Sequence, residues 1–171
     1  ALVREAAEPH LDRGKNVKFV FDKNLEFDRD QPVTFRKPEV IHGLRNLIQN
    51  AVDFAHSEVR IDVGWNQSEL FITISDDGHG FAPQIINLIG DPFVGQRRRN
   101  PKSSDRPGYD GMGLGLFIAK TLLERSGAKL DFFNASGDDL LQGAVVRGVW
   151  PRRKLEADEL PIGQNQLIEV G

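Results

Sequence analysis

Gly43, Asn46, Asn50 and Asp53 follow one another at spacings of three, four and three, so a helix carrying them lines all four along one polar ribbon. Asparagine is a poor helix former, because its amide competes for backbone hydrogen bonds. Two of them inside one helix mark either a solvated face or a pair of amide oxygens aimed into a polar cleft. Downstream, an apolar run ends in Ser75-Asp76-Asp77-Gly78-His79-Gly80. This is an Asp-Gly turn, or a place where a planar ligand lies against a backbone without Cβ atoms while a carboxylate accepts from its amine. Further on, Gly111-Met112-Gly113-Leu114-Gly115-Leu116 leads into an apolar helix. Glycines at a helix start expose N–H groups at its positive end, which suits phosphate. Between the two glycine segments lie Arg97, Arg98, Arg99 and Lys102, either a solvated charge run or cations for a triphosphate.

The common nucleotide fingerprints do not explain these glycines. A dinucleotide motif needs glycine at 116, where leucine stands, and a preceding strand. A P-loop fails at Ala119-Lys120-Thr121, where alanine replaces glycine and the spacing is one residue short.

The elements that must position these residues are regular. Helix is expected from Ala1 to about Arg13, then strand over Val17–Phe21 and a short strand over Pro32–Phe35. Helix is expected from Pro38 to about His56, with Ile41, Leu44, Ile48, Ala51 and Ala55 as its apolar stripe. Val59, Ile61, Val63 and Trp65 alternate with polar residues, as do Leu70, Ile72 and Ile74, and the link Asn66-Gln67-Ser68 makes the pair a hairpin. Eight of the 17 glycines lie between Gly78 and Gly115, with four prolines, so that stretch reads as loop. A helix over Leu116–Ser126 ends at Gly127, strands follow at Lys129–Phe133 and Val145–Trp150, and the tail beyond Pro151 is polar and aperiodic. The pattern predicts an α+β fold, a two-layer α/β sandwich with helices on one face of a mixed, mostly antiparallel sheet.

Composition narrows the classes. The chain has 171 residues, 39% hydrophobic and 27% charged, which fits one globular domain with a real core. A net charge of −3 argues against a dedicated nucleic-acid binder. With no cysteine there is no disulfide framework, thiolate metal site or thiol catalysis. No apolar run approaches the roughly 18 residues of a membrane span.

Taken in order, Asn-x-x-x-Asn on a helix, Asp-x-Gly-x-Gly after a strand and Gly-x-Gly-x-Gly at a helix resemble the catalytic, ATP-binding domain of bacterial sensor histidine kinases, a branch of the GHKL superfamily with the Bergerat fold. Leu44–Ala51 is similar to the N box, Asp76–Gly80 to the G1 box, Asp91-Pro92-Phe93 to the F box and Gly111–Leu116 to the G2 box, and Gly143–Pro151 resembles the domain's closing strand. The likeness spans roughly residues 15–153, leaving 1–14 as the end of a preceding helix and linker and 154–171 as a tail. Within the family, Gly108–Lys120 resembles the redox-sensing RegB/PrrB subgroup.

The resemblance implies roles residue by residue. Asn46 and Asn50 become the catalytic pair, with Asn50 offering its side-chain oxygen to Mg²⁺ and Asn46 on the phosphate side. Superfamily relatives that hydrolyse ATP carry glutamate at that place, so an amide favours transfer to a protein acceptor. Asp76 accepts from the adenine amine, Gly78 and Gly80 admit the base, and Phe93 anchors the ATP lid. Gly111, Gly113, Leu114 and Gly115 hold the phosphates, and one of Arg97, Arg98, Arg99 or Lys102 reaches the γ-phosphate. The implied acceptor is a histidine on a dimerisation domain, with a response regulator downstream. Neither His10-Leu11-Asp12 nor His56-Ser57-Glu58 matches the family's acceptor box, so the chain reads as a monomeric catalytic fragment on the cytoplasmic side, without membrane contact of its own. Three departures stand out: Asp53 where a basic residue is common, Gly90 for the first phenylalanine of the F box, and His79 where proline is common. Asp53 and Gly90 keep open a non-catalytic, nucleotide-gated module; an anti-sigma-type serine kinase is the other alternative.

Overall fold

The computed structural model describes residues 2–21, 32–90, 109–137 and 141–156. In chain order these form α1 (Leu2–Ala7), a 3-10 turn (Glu8–His10), β1 (Asn16–Phe21), α2 (Pro38–Phe54), β2 (Glu58–Trp65), β3 (Glu69–Asp76), α3 (Pro83–Gly90), α4 (Tyr109–Arg125), β4 (Lys129–Asn134), β5 (Ala144–Pro151) and a last helical turn, Arg152–Leu155.

The strands make one five-stranded sheet in the order β1-β2-β3-β5-β4. β1 runs parallel to β2, and the other three pairings are antiparallel. The β2–β3 hairpin closes on Asn66, whose side-chain oxygen accepts from the backbone N–H groups of Ser68 (2.9 Å) and Glu69 (2.8 Å). Val59, Ile61, Leu70, Ile72 and Ile74 point to one face of the sheet and are buried there under the helices.

The helix α2 fills the middle of that layer. Pro38 occupies its first turn, and the expected stripe of Ile41, Leu44, Ile48, Ala51 and Ala55 is buried throughout. Fully burying side chains of this size contributes about 1.5–3 kcal/mol each for the larger ones. α4 packs beside α2. Gly43 makes this close approach possible: a Cβ there would lie 2.6 Å from Leu123 Cγ. α4 stops at Gly127, whose φ of +101° is open to glycine, and Ala128 N–H closes the end on Leu123 O at 3.0 Å. Trp150 is fully buried beneath, its indole N–H donating to Ser126 Oγ at 2.9 Å.

Five expectations about elements change. The helix expected from Ala1 to about Arg13 ends at Ala7, where a 3-10 turn, Glu8–His10, takes over around Pro9. Pro32–Phe35 forms no strand but one antiparallel bridge, Thr34 with Glu156; Val33 and Phe35 are exposed, so the alternation has no buried face to follow. Residues Pro83–Gly90, expected as loop, are helical: Pro83 opens the first turn, and Ile85 and Ile89, four apart, bury against the core. α4 begins at Tyr109, seven residues before the expected Leu116, so the Gly111–Gly115 segment lies inside its first two turns. Arg152–Glu156, expected as tail, is folded: Leu155 is buried and Arg152 N–H donates to Ser68 O at 2.8 Å. The preceding helix α1 also joins the same core, through fully buried Ala6 and Ala7.

Overpacking the seam between α2 and α4 tests this arrangement. Gly43→Ala is expected to cost about 1–3 kcal/mol in denaturant unfolding. Leu123→Ala costs more on its own, but the double variant costs less than the sum because each relieves the other.

Candidate functional site

Sheet topology brings the three glycine and asparagine segments to one end. β3 and β4 both run antiparallel to β5, so the connection between them carries α4 back antiparallel to β3. α2, linking parallel β1 and β2, runs the other way. The last turns of α2, the first turns of α4 and the C-terminal end of β3 therefore share one edge of the layer.

At that edge two neighbouring carboxylates have different fates. Asp76 is buried, 2% exposed, and its Oδ1 accepts from Gly78 N–H (2.8 Å) and Ala144 N–H (3.3 Å). Burial pushes its carboxyl above the ordinary aspartate range, against the pull of those two N–H groups. Its Oδ2 takes no hydrogen bond from the described residues, yet it is not sealed away as the unpartnered Asp62 Oδ2 and Ser75 Oγ are. One oxygen of a buried acid thus stays open to a donor from outside. Asp77 has nothing to spare: its oxygens accept from Ser57 N–H (3.0 and 3.1 Å), Ser57 Oγ (2.6 Å) and Glu58 N–H (3.1 Å). These bonds hold its carboxyl well below the ordinary range despite partial desolvation, and they staple the α2–β2 turn to the end of β3.

The glycines around Asp76 answer to the protein's own packing. A Cβ on Gly78 would strike the Phe54 carbonyl oxygen, which is how β3 abuts the end of α2. Gly80 sits at φ +79°, and a Cβ there would lie 2.6 Å from Asn134 Oδ1. Asn134 grips the next residue from both sides, accepting from Phe81 N–H (2.6 Å) and donating to Phe81 O (3.0 Å). Gly143 lies against the Asp76 carboxylate so closely that any side chain would collide with it. Asn134 has no part in the motifs read from sequence, and Ala144 enters them only within the closing segment Gly143–Pro151; an asparagine ending the strand Lys129–Asn134 is the one local signal.

On α2, Asn46 and Asn50 are half-buried, and neither amide has a hydrogen-bond partner among the described residues. Gly43 leaves the expected ribbon: it is buried at the α4 seam. Asp53 remains on the ribbon but is paired with Arg13 at 3.1 Å. On α4, Leu114 is 58% exposed and the space over Gly115 is open, with nothing within 4 Å of a Cβ placed there. Since α4 starts at Tyr109, Gly111 falls in the first turn, whose N–H groups have no intrahelical carbonyl to reach, and Gly113 and Gly115 fall within the helical ladder. Phe93, Arg97, Arg98, Arg99 and Lys102 lie outside the described residues. Exposed His79 packs edge-on against exposed His56, centroids 4.7 Å apart, while His10 is buried. An apolar cavity of about 70 Å³ lies at the opposite end of the sheet, among Leu2, Trp65, Trp150 and Leu155.

Residues 36–154 match the family described as histidine kinase-, DNA gyrase B- and HSP90-like ATPases. The chain belongs to this family. It is 55% identical over 177 aligned residues to the sensor histidine kinase RegB of Cereibacter sphaeroides, covering 99% of this chain and 38% of that protein. The histidine protein kinase SaeS of Staphylococcus aureus is 30% identical over 75% of the chain and 36% of its own length. The chain thus spans little more than a third of these relatives. Among solved structures, the catalytic domain of the histidine kinase ThkA superposes with a TM-score of 0.62 at 20% identity, covering 90% of this chain and 93% of that one. The mycobacterial sensor histidine kinase MprB superposes at 0.57 and 21%, covering 88% and 93%. The expected α/β architecture and the resemblance to the RegB subgroup both hold. Among the described residues no helix is long and apolar enough to cross a membrane.

The two ATPase-family aspartates differ in sign, and unfolding experiments read that difference. Asp77, with a lowered pKa, stabilises the fold above the ordinary value of 3.8 and loses that contribution as pH falls below it. Asp77→Asn is therefore expected to cost about 1–2 kcal/mol at pH 7, with the gap to wild type narrowing below about pH 4. Asp76, with a raised pKa, costs stability once the unfolded chain's carboxyl is ionised, so Asp76→Asn leaves stability at pH 7 unchanged or higher.

Proposed function

We propose that this ATPase domain binds Mg²⁺-ATP at the shared edge of α2, β3 and α4 and delivers the γ-phosphoryl group to a histidine on a dimerisation and phosphoacceptor domain of its parent kinase, for onward transfer to a response regulator. The observation that carries the reading is Asp76: a buried carboxylate, fixed by backbone through one oxygen, with the other open. It offers an acceptor to the adenine amine, and guanine presents a carbonyl at that place, which a carboxylate repels. The 55% identity to a sensor histidine kinase supports the choice of histidine as acceptor over a non-catalytic module or a serine kinase.

Each residue of the chain then has a task. The free amides of Asn46 and Asn50 fit a hard cation and a phosphate: Asn50 would hold Mg²⁺ through its side-chain oxygen, as a metal that keeps most of its waters needs few protein ligands. Mg²⁺, when bound, would supply positive charge to offset the charge on the phosphates. Asn46 orients the phosphates and, being an amide, does not take a proton from water, which disfavours hydrolysis. Gly111 contributes its N–H from the free start of α4; Gly113, Leu114 and Gly115 join it if the first turns of the helix open around the phosphates. Phe93 and the basic set Arg97, Arg98, Arg99 and Lys102 supply the lid and its γ-phosphate contact. In transfer, the bond from Pγ to the bridging oxygen breaks and ADP leaves. A bond to the unprotonated imidazole nitrogen forms through its lone pair, and the proton on the other ring nitrogen passes to solvent. The chain acts as a monomer on the cytoplasmic face of the inner membrane where its parent is membrane-anchored.

Calorimetry with the β,γ-imido analogue of ATP checks the binding half: Mg²⁺-dependent binding in wild type, and at least tenfold weaker Mg²⁺-dependent binding in Asn50→Ala. For transfer, labelled ATP and a separately produced phosphoacceptor domain should yield acid-labile, base-stable label. Label on this chain alone, or acid-stable label, would contradict the histidine reading.

A further inference from the structure

Asp53 poses an electrostatic problem for a phosphate site. It stands three residues beyond Asn50 on the same ribbon of α2, where a bare carboxylate repels a polyphosphate. The structure answers it with Arg13, whose Nη1 lies 3.1 Å from Asp53 Oδ1. Side chains three apart on a helix have Cβ atoms about 5–6 Å apart, so the guanidinium is held on the side chain that neighbours Asn50 along the ribbon. Its backbone is fixed as well. Lys15 Nζ donates to Ala55 O and His56 O, each at 2.7 Å, and Asn16 N–H donates to Ser57 O at 2.8 Å, so the segment from Arg13 to β1 is pinned along the end of α2. The pair is half-exposed, 45% for Arg13 and 41% for Asp53, and an exposed pair of this kind adds little to fold stability. Arginine presents five N–H donors in a rigid fork, and one contact to Asp53 leaves the others for an anion.

We propose that Arg13 is a phosphate-binding residue of the nucleotide site, held in place by Asp53, so that a cation from the segment before β1 serves where α2 itself presents an acid. The inference rests on the nucleotide reading above. It makes Asp53 a positioning residue, and it ties the segment before β1 to whether phosphates are bound.

The test compares the 171-residue chain and its variants in calorimetric titrations with the Mg²⁺-bound β,γ-imido analogue and with adenosine, which has no phosphate. Arg13→Ala is expected to weaken the analogue about three- to tenfold while leaving adenosine affinity and the unfolding midpoint unchanged. Arg13→Ala/Asp53→Ala, which restores the local charge without restoring the donors, should stay at least about threefold weak. Unchanged analogue binding in Arg13→Ala overturns the proposal, and so does full recovery in the double variant, which would reduce Arg13 to a neutraliser of Asp53. A wild-type chain that binds the analogue no better than adenosine would instead sink the nucleotide reading itself.

Discussion

Asp76 is an acid with almost no water around it, and much of the surrounding chain is arranged to keep it there. Two backbone N–H groups, one from the turn after β3 and one from the start of β5, converge on one of its oxygens. Gly143 gives up its side chain so that β5 can begin against the carboxylate, and Gly78 gives up its own so that β3 can end against the last carbonyl of α2. Holding a carboxylate in this way costs stability unless something outside supplies the missing partner. A structural role would be filled better by an apolar residue. An open acceptor on a rigid backbone suits a ligand that arrives with an N–H.

The neighbouring acid shows the contrast. Asp77 uses both oxygens on the α2–β2 turn, and Asn134 fixes the loop beyond Gly80 by holding both polar groups of Phe81. Together they make the loop that follows β3 a stiff shelf, tied to α2 on one side and to β4 on the other. Opposite that shelf, α4 presents an exposed Leu114 and an open Gly115. Under the proposed reading, a fixed base-binding side thus faces a helix start rich in glycine, which resists helix formation through backbone entropy.

Much of this was legible because it is local. The stripe Ile41, Leu44, Ile48, Ala51, Ala55 names a helix and its buried face, and Asn66 names a turn through its own side chain. The motif residues Asn46, Asn50 and Asp76 were visible as polar groups in places where propensity or burial disfavours them. What escaped depends on distant partners. Nothing near Asn134 announces that it will hold Phe81, and nothing near Arg13 announces Asp53, 40 residues on. The parallel pairing of β1 with β2 likewise has no local signature. Pro83–Gly90 was hidden by its flanking glycines and prolines, although the spacing of Ile85 and Ile89 was there to be read. The start of α4 was placed late because glycine is a weak helix former, and that penalty is overcome here by the apolar residues that follow, Leu116, Ala119 and Leu123, all fully buried.

Membership of the ATPase family, the identity to RegB and the free polar groups of α2 and β3 support the proposed mode of binding, in which the base would be read by a buried acid and the phosphates by amides and a helix start. A crystal structure of the chain with Mg²⁺ and the β,γ-imido analogue of ATP tests this most directly. The adenine amine is expected within hydrogen-bond distance of Asp76 Oδ2, and Mg²⁺ on the side-chain oxygen of Asn50. Nucleotide bound elsewhere, or with its base turned away from Asp76, would contradict it.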